Sequence, residues 1–264
     1  MKRIIALLLA VMLFITCLVG CSVKKTDLTS DLDDVKDAGK LVVGVTVFEP
    51  MDYQDKNGDW VGFDAELAKA FAKSVGVKSE FRIIDWDNKA FEIDSYNVDV
   101  IWNGMTLSDE VKAAMDCSNA YCNNQQIVIV PKTDADKYQT VDSVKSLYFA
   151  VETGSAGQKQ AEAIGAEIKE VSDQATALTE VKSGNVDAAI IDSLMAAAMV
   201  GEGTDYSELT YTVGLNDEEY GVGFRKGSDL TEKLNKFFKD YYASGDMMKL
   251  AEKYGVQASI IEQK

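Results

Sequence analysis

The chain has 264 residues, with 27 Lys and Arg against 43 Asp and Glu, and a formal net charge of −16. So acidic a surface repels nucleic acid and gains nothing from anionic lipid headgroups. No histidine is present, which excludes Ser-His-Asp triads, Cys-His pairs and His-ligated zinc.

The N-terminus carries a short basic start, Lys2 and Arg3, then the apolar run IIALLLAVMLFITCLV, then Leu18-Val19-Gly20-Cys21. A basic region, an apolar region and small residues before a cut mark a secretory signal. The LVGC end resembles a bacterial lipoprotein signal, which implies cleavage before Cys21 and diacylglycerol on its sulfur. A simple membrane anchor with Cys21 unmodified is the alternative; either way the chain is expected to be exported and held at a membrane surface. Loss of Lys2 and Arg3 would leave a net charge of about −18. No second apolar run is long enough to span a bilayer. Residues 22–40 are polar and poor in aromatics, and their first half reads as a tether.

KLVVGV (40–45) is a short strand of the kind buried on both faces. FDAELAKAFAKSVG (63–76) predicts a helix, with Asp64 as cap, Phe63, Leu67, Phe71 and Val75 on one stripe, and Gly76 at its end. SEFRIID (79–85) is the next strand, NKAFEIDSYN (88–97) a short helix, and VDVIWNG (98–104) a third strand. That strand leads into NGMTLSDEVKAAM (103–115), a Gly-containing loop entering a helix whose N-cap is Ser108.

The design then returns. LYFAVET is a strand, GSAG a loop into a helix over 157–164, EIKEV a strand, DQATALTEVKSG a helix and VDAAIID a strand. NVDVIWNG (97–104) and NVDAAIID (185–192) each run Asn-Val-Asp into an apolar strand after a helix and a turn. This weak repeat predicts two α/β lobes of like design. Only Pro50 and Pro131 occur and no low-complexity linker intervenes, so the lobes should be joined by strands. NNQQIVIVPK (123–132) is the outward crossing and EEYGVGFRKG (218–227) the return. Residues 228–255 predict two amphipathic helices packing back on the first lobe. Of four cysteines, Cys17 and Cys21 fall at the N-terminus. Cys117 and Cys122 are either a disulfide or two buried apolar residues; a metal held by two thiols alone is not expected.

In open parallel sheets ligands lie beyond the carboxyl ends of strands. Those ends nominate Phe48 and Glu49, Trp86, then Asn103, Gly104, Met105 and Thr106. On the other lobe they nominate Glu152, Ser155, Ala156, Gly157 and Asp192. Two facing lips make a cleft whose closure excludes water.

At these residues the chain resembles a known family. FEPMDYQDKNGDWVGFDAELAKAFAKSVGV, VDVIWNGMTLSDE, VETGSAG, VDAAIID and EYGVGFRKGSDL occur in the order found in the family 3 extracellular solute-binding proteins of polar amino-acid ABC transporters. The resemblance covers about residues 40–256. It implies a type 2 periplasmic-binding-protein fold: two lobes, each a mostly parallel sheet flanked by helices, joined by two hinge strands. The implied organisation is a signal over 1–20, a tether over 21–37, lobe 1 over 38–124 and 219–264, and lobe 2 over 125–218. The implied function is a monomeric lipoprotein at the outer face of the bacterial cytoplasmic membrane. It would bind an amino acid or amine and deliver it to a permease with its ATPase, with no catalytic residue, cofactor or metal. A sensor that docks on a membrane receptor, and a dehydratase-like enzyme on the same fold, are the alternatives.

The resemblance also implies roles. Phe48 and Trp86 would clamp the ligand side chain. Gly104 and Thr106 would hold the ammonium and carboxylate ends, amides of residues 155–157 would meet the carboxylate, and Asp192 would pair with the α-ammonium. Cys117 stands where the family usually has Phe, which favours a buried thiol. Two departures matter more. The family's Glu-Arg-Lys reads Glu110-Val111-Lys112 here, and that Arg forks onto the α-carboxylate. Arg82 and Arg225 sit in a strand and in the return crossing, and Lys112 should point elsewhere on its helix. Glu152 adds acid at a lip that is often neutral or basic. Together these changes favour a cationic or amine guest between Phe48 and Trp86. An ordinary amino acid held by Lys112, backbone amides and water is the other reading.

Overall fold

The computed structural model describes residues 30–264. The expected signal, Cys21 and the first part of the tether lie outside those residues. The second part of the tether needs correction. Asp31–Ala38 is helix α1, with Leu32 and Val35 buried. The Leu32 amide donates to Asp229 Oδ1 at 3.0 Å, and the Asp31 carboxylate meets Arg225 at 3.2 Å. DLDDVKDA is polar overall, but Leu32 and Val35 are three apart and share one helical face.

Strand β1 (Lys40–Val45), the hairpin β2 (Tyr53–Gln54) and β3 (Trp60–Val61), helix α2 (Phe63–Ser74), β4 (Lys78–Ile83), α3 (Lys89–Asp94) and β5 (Val100–Thr106) follow. Then come α4 (Asp109–Ala114), β6 (Asp116–Cys117), β7 (Cys122–Pro131), α5 (Val141–Val144), β8 (Tyr148–Glu152), α6 (Ala156–Ala163), β9 (Glu167–Val171), α7 (Gln174–Lys182), β10 (Ala188–Asp192) and α8 (Ser193–Met199). The long β11 (Leu209–Phe224) precedes α9 (Leu230–Ala243) and α10 (Asp246–Tyr254).

One sheet runs β4-β1-β5-β11-β7-β10-β8-β9, with β6 beside β11. β1 is parallel to β4 and β5, and β8 is parallel to β9 and β10. Each parallel trio places its first strand in the centre and its third strand inward, so the two halves have the same order. The antiparallel pair β7 and β11 joins them.

The Asn-Val-Asp repeat has a structural cause. Asp99 Oδ2 accepts from the Val42 amide of β1 at 2.8 Å, and its own amide donates to the Val42 carbonyl. Asp187 repeats this at Tyr148 of β8, at 2.9 Å. In each trio the aspartate ties the incoming third strand to the central first strand. The two halves are thus one design used twice, as the sequence repeat predicts.

Phe63, Leu67 and Phe71 of α2 are buried, as their stripe requires. Asp64 does not cap that helix, whose N-cap residue is Gly62. Asp64 turns into the core instead, where its Oδ2 accepts from the Gly104 amide and the Tyr121 hydroxyl, both at 2.7 Å. The C-terminal helices return as expected: Lys253 and Tyr254 of α10 both reach Glu66 of α2 at 2.6 Å. Cys117 and Cys122 are free thiols. They pair with Gly223 and Tyr220 along β11, three positions and about 10 Å apart, beyond the reach of a disulfide. Burial raises both thiol pKa values, which leaves them inert.

Candidate functional site

The carboxyl ends of β1, β5, β8 and β10 converge on a cavity of about 310 Å³. Most nominated residues line it: Phe48, Trp86, Asn103, Gly104, Met105, Thr106, Glu152, Ser155, Ala156 and Asp192. Glu49 and Gly157 do not. Burial and Asp205 raise the Glu49 pKa outside the cavity wall. A Cβ on Gly157 would lie 2.9 Å from the Ile190 carbonyl oxygen, so this glycine lets α6 approach β10.

The aromatic wall is built by local constraint. Phe48 is 2% exposed and meets the Tyr220 ring edge-on at 6.2 Å. Gly104 has φ +55°, and a Cβ there would lie 2.4 Å from the Phe48 ring. Only glycine allows both that backbone and that ring. Trp86 begins a short 3₁₀ turn capped by Asp85, whose carboxylate accepts from the Asp87 amide.

Several polar side chains at the lips are already engaged. Asn103 Oδ1 accepts from the Thr46 amide at 2.9 Å and the Thr46 hydroxyl at 2.8 Å, while its Nδ2 donates to Asp52 at 2.8 Å. Asn103 therefore braces the two inner strands of its trio. The Thr106 hydroxyl donates to Glu218 of β11 at 3.0 Å. Asp192 Oδ1 accepts from Gln126 at 2.8 Å, from Tyr220 at 2.6 Å and from Asn124, and its Oδ2 accepts from Gln174. It stands at the N-cap of α8 without capping it; Asn124 Oδ1 takes that helix's Leu194 amide instead. Even so, burial first and then Glu218 push the Asp192 carboxyl up to about 7.

Glu152 differs. It is 3% exposed, and its Oε1 has no hydrogen-bond partner. Burial, then Asp192 and Asp173, push its carboxyl up to about 8, against the opposing pull of Thr46 and Lys89. A buried carboxyl oxygen without a donor is costly, and Oε1 is left free to accept from a donor that enters the cavity.

Val111 also lines the cavity and packs in an apolar cluster with Trp86 and Met105. Its amide donates to Ser108 Oγ at 3.2 Å, so Ser108 does cap α4. Arg225 is buried on Asp31, Asp99 and the carbonyls of Ile93 and Val98. Arg82 serves Glu80 and the Asn97 carbonyl. Neither arginine lines the cavity, and neither does Lys112.

Two lining cations escaped the sequence reading, Lys89 and Lys159. Lys159 of α6 pairs with Glu110 of α4 across the rim. Lys89 follows Trp86 by three residues, a spacing that places it one turn away, and its ammonium lies 4.9 Å from the indole centroid. Gln126 and Gln174 were also missed. The alternation in NNQQ carried that signal, because Asn124 and Gln126 fall on one face of a strand.

The chain has relatives of known family and fold. The family model of the bacterial extracellular solute-binding proteins, family 3, matches residues 41–257. The chain is 29% identical over 239 residues to the L-cystine-binding protein TcyJ of Escherichia coli, covering 89% of this chain and 90% of that one. It is 30% identical over 223 residues to the arginine-binding extracellular protein ArtP of Bacillus subtilis, covering 81% and 86%. Among solved structures, a mutant of ArgBP from T. maritima superposes with a TM-score of 0.80 at 29% identity, covering 85% of this chain and 98% of that one.

Proposed function

This chain belongs to family 3 of the bacterial extracellular solute-binding proteins, and on that premise we propose that its cleft takes an amino acid, or an amine built like one, that carries a cationic group. Its work is to bind and deliver a solute outside the cytoplasm, not to turn one over. The observation that carries the choice of solute is Glu152, a buried carboxylate on the cavity wall with an unpartnered oxygen and Asp192 for a neighbour. In this reading Glu152 and Asp192 receive the cationic end. Phe48 and Trp86 cover the guest, and the backbone at Gly104 to Thr106 and at Ser155 and Ala156 fixes its polar ends. Cation–π contact with the rings would add about 0.5–2 kcal/mol.

Lobe 1 is read as residues 38–124 with 219–264, and lobe 2 as 125–218. The strand order supports this division, because β7 and β11 alone connect the two parallel trios. The relatives' names, among them cystine-, arginine- and histidine-binding proteins, support solutes with more than one nitrogen. Delivery to an ABC permease and its ATPase, and a lipid anchor on Cys21, complete the proposal.

Calorimetric titration with the twenty amino acids, L-cystine and their decarboxylated amines tests the reading. Dibasic or amine ligands should bind, and Glu152→Gln should weaken them tenfold or more. Tight binding of a neutral amino acid, unaffected in Glu152→Gln, would sink the cationic reading. Mass spectrometry of the mature N-terminus tests the anchor, which is wrong if Cys21 carries no diacylglycerol.

A further inference from the structure

Lys89 has a role that its backbone contacts do not exhaust. Its ammonium donates to the Trp86 carbonyl at 3.0 Å and to the Gly154 carbonyl at 3.1 Å. The first belongs to the β4–α3 turn and the second to the β8–α6 loop on the opposite lip. A lysine ammonium has three donors, so one N–H is left over. Among the described residues no carboxylate lies within 4.0 Å of it, although the chain is strongly acidic and fourteen other ion pairs form. Burial lowers its pKa, while Glu152 pulls the other way. A half-buried cation held by two carbonyls and an indole face, with one N–H making no hydrogen bond and no carboxylate in ion-pair range, is a place for an anion.

The neighbouring position cannot serve. Val111 is 8% exposed and packs against the cluster that holds Trp86. The first turn of α4 therefore presents methyl groups to the cavity where a cation would fork onto a carboxylate. Lys159, the other lining cation, is exposed and engaged by Glu110.

We propose that Lys89 is the carboxylate-reading residue of this cleft, so that Lys89 and Glu152 together read the two charges of a zwitterionic guest. The inference rests on the reading of the site as an amino-acid cleft and specifies how its anionic end is met. The position of the ammonium depends on both lips, since one carbonyl comes from each. Gly154 makes that approach possible: a Cβ there would lie 2.6 Å from Asp87 Cα. The carboxylate reader is therefore assembled as the lips meet. Lysine is a point charge, not a planar fork, so it accepts a carboxylate with less demand on its orientation than arginine would.

The test is calorimetry on the purified chain with the twenty L-amino acids, L-cystine and the decarboxylated amine of whichever binds (agmatine for arginine, cadaverine for lysine, histamine for histidine). The wild-type protein should bind the amino acid at least tenfold tighter than its amine. Lys89→Met should weaken the amino acid tenfold or more and leave the amine within twofold. Lys89→Arg should retain the preference, and Val111→Arg placed on Lys89→Met should restore part of it. Equal losses for amino acid and amine in Lys89→Met would reduce Lys89 to a latch between the lips and overturn the inference. Amino-acid affinity unchanged in Lys89→Met would overturn it too. A wild-type preference for the amine would overturn this inference alone, whereas a wild-type protein that binds none of the probes would overturn the amino-acid reading with it.

Discussion

Glu152 shows how one side chain can tune both stability and binding. Its carboxyl has an ordinary value near 4.5 and is pushed up to about 8 by burial and by Asp192. Asp192 and Asp64 are likewise raised by burial, to about 7 and about 6. Between the ordinary and raised values the folded chain binds more protons than the unfolded chain, so stability falls as pH rises through that window. The ligand-free protein should therefore melt at a higher temperature near pH 5 than near pH 8. Glu152→Gln should flatten this slope and gain about 1–3 kcal/mol at pH 8, because an unpaired buried charge is removed. Melting curves at the two pH values check it, and an unchanged slope would place the titration elsewhere. Binding has the opposite trend: affinity for a cationic solute should rise from pH 6 to pH 9 as Glu152 ionises.

The loop between β8 and α6 sets how closely the two lips approach. Gly154 has φ +72° and approaches Asp87 on the other lip. An alanine there costs about 1–2 kcal/mol in backbone strain alone, and its methyl would meet backbone that cannot yield. Gly154→Ala should therefore weaken solute binding by tenfold or more, beyond its effect on melting temperature. Calorimetry beside a thermal melt separates the two effects, and undiminished affinity would mean that the lips do not meet this way in the complex. The short elements also show what patterning can and cannot convey. Periodicity located β1, α2, β9 and the terminal helices within a residue or two, because each buries a regular stripe or run. Strand β11 extends to Leu209, well before the residues that signalled it. Its first half pairs with β7 along one edge and alternates irregularly, with two register shifts, so no clean period marks it.

At the scale of the whole molecule, α1 closes the fold. Arg225 sits 7% exposed between Asp31, Asp99 and two carbonyls. Taking one carboxylate from a buried guanidinium leaves charge uncompensated. Asp31→Asn should cost about 1–3 kcal/mol, and a chain beginning at Lys40 should be less stable than one beginning at Asp31 by more, since Leu32 and Val35 lose their cover. Chemical denaturation measures both, and equal stability of the two truncated chains would make α1 an ornament.

The sequence by itself determined the two like halves and the family, and it nominated the crossing strands and the aromatic and acidic lips. Each is written in local patterns: a stripe of apolar residues, an Asn-Val-Asp before a strand, a strand end rich in polar and aromatic residues. It also raised the expectation, from the family resemblance, that Val111 stands where a cation would be. Only the tertiary structure decided what stands near that omission. Lys89 and Glu152 are 63 positions apart in the chain, and no local period relates them. Whether Asn103 and Asp192 face a guest or brace a strand depended equally on partners from distant elements, because hydrogen-bond capacity is shared out in space and not along the chain.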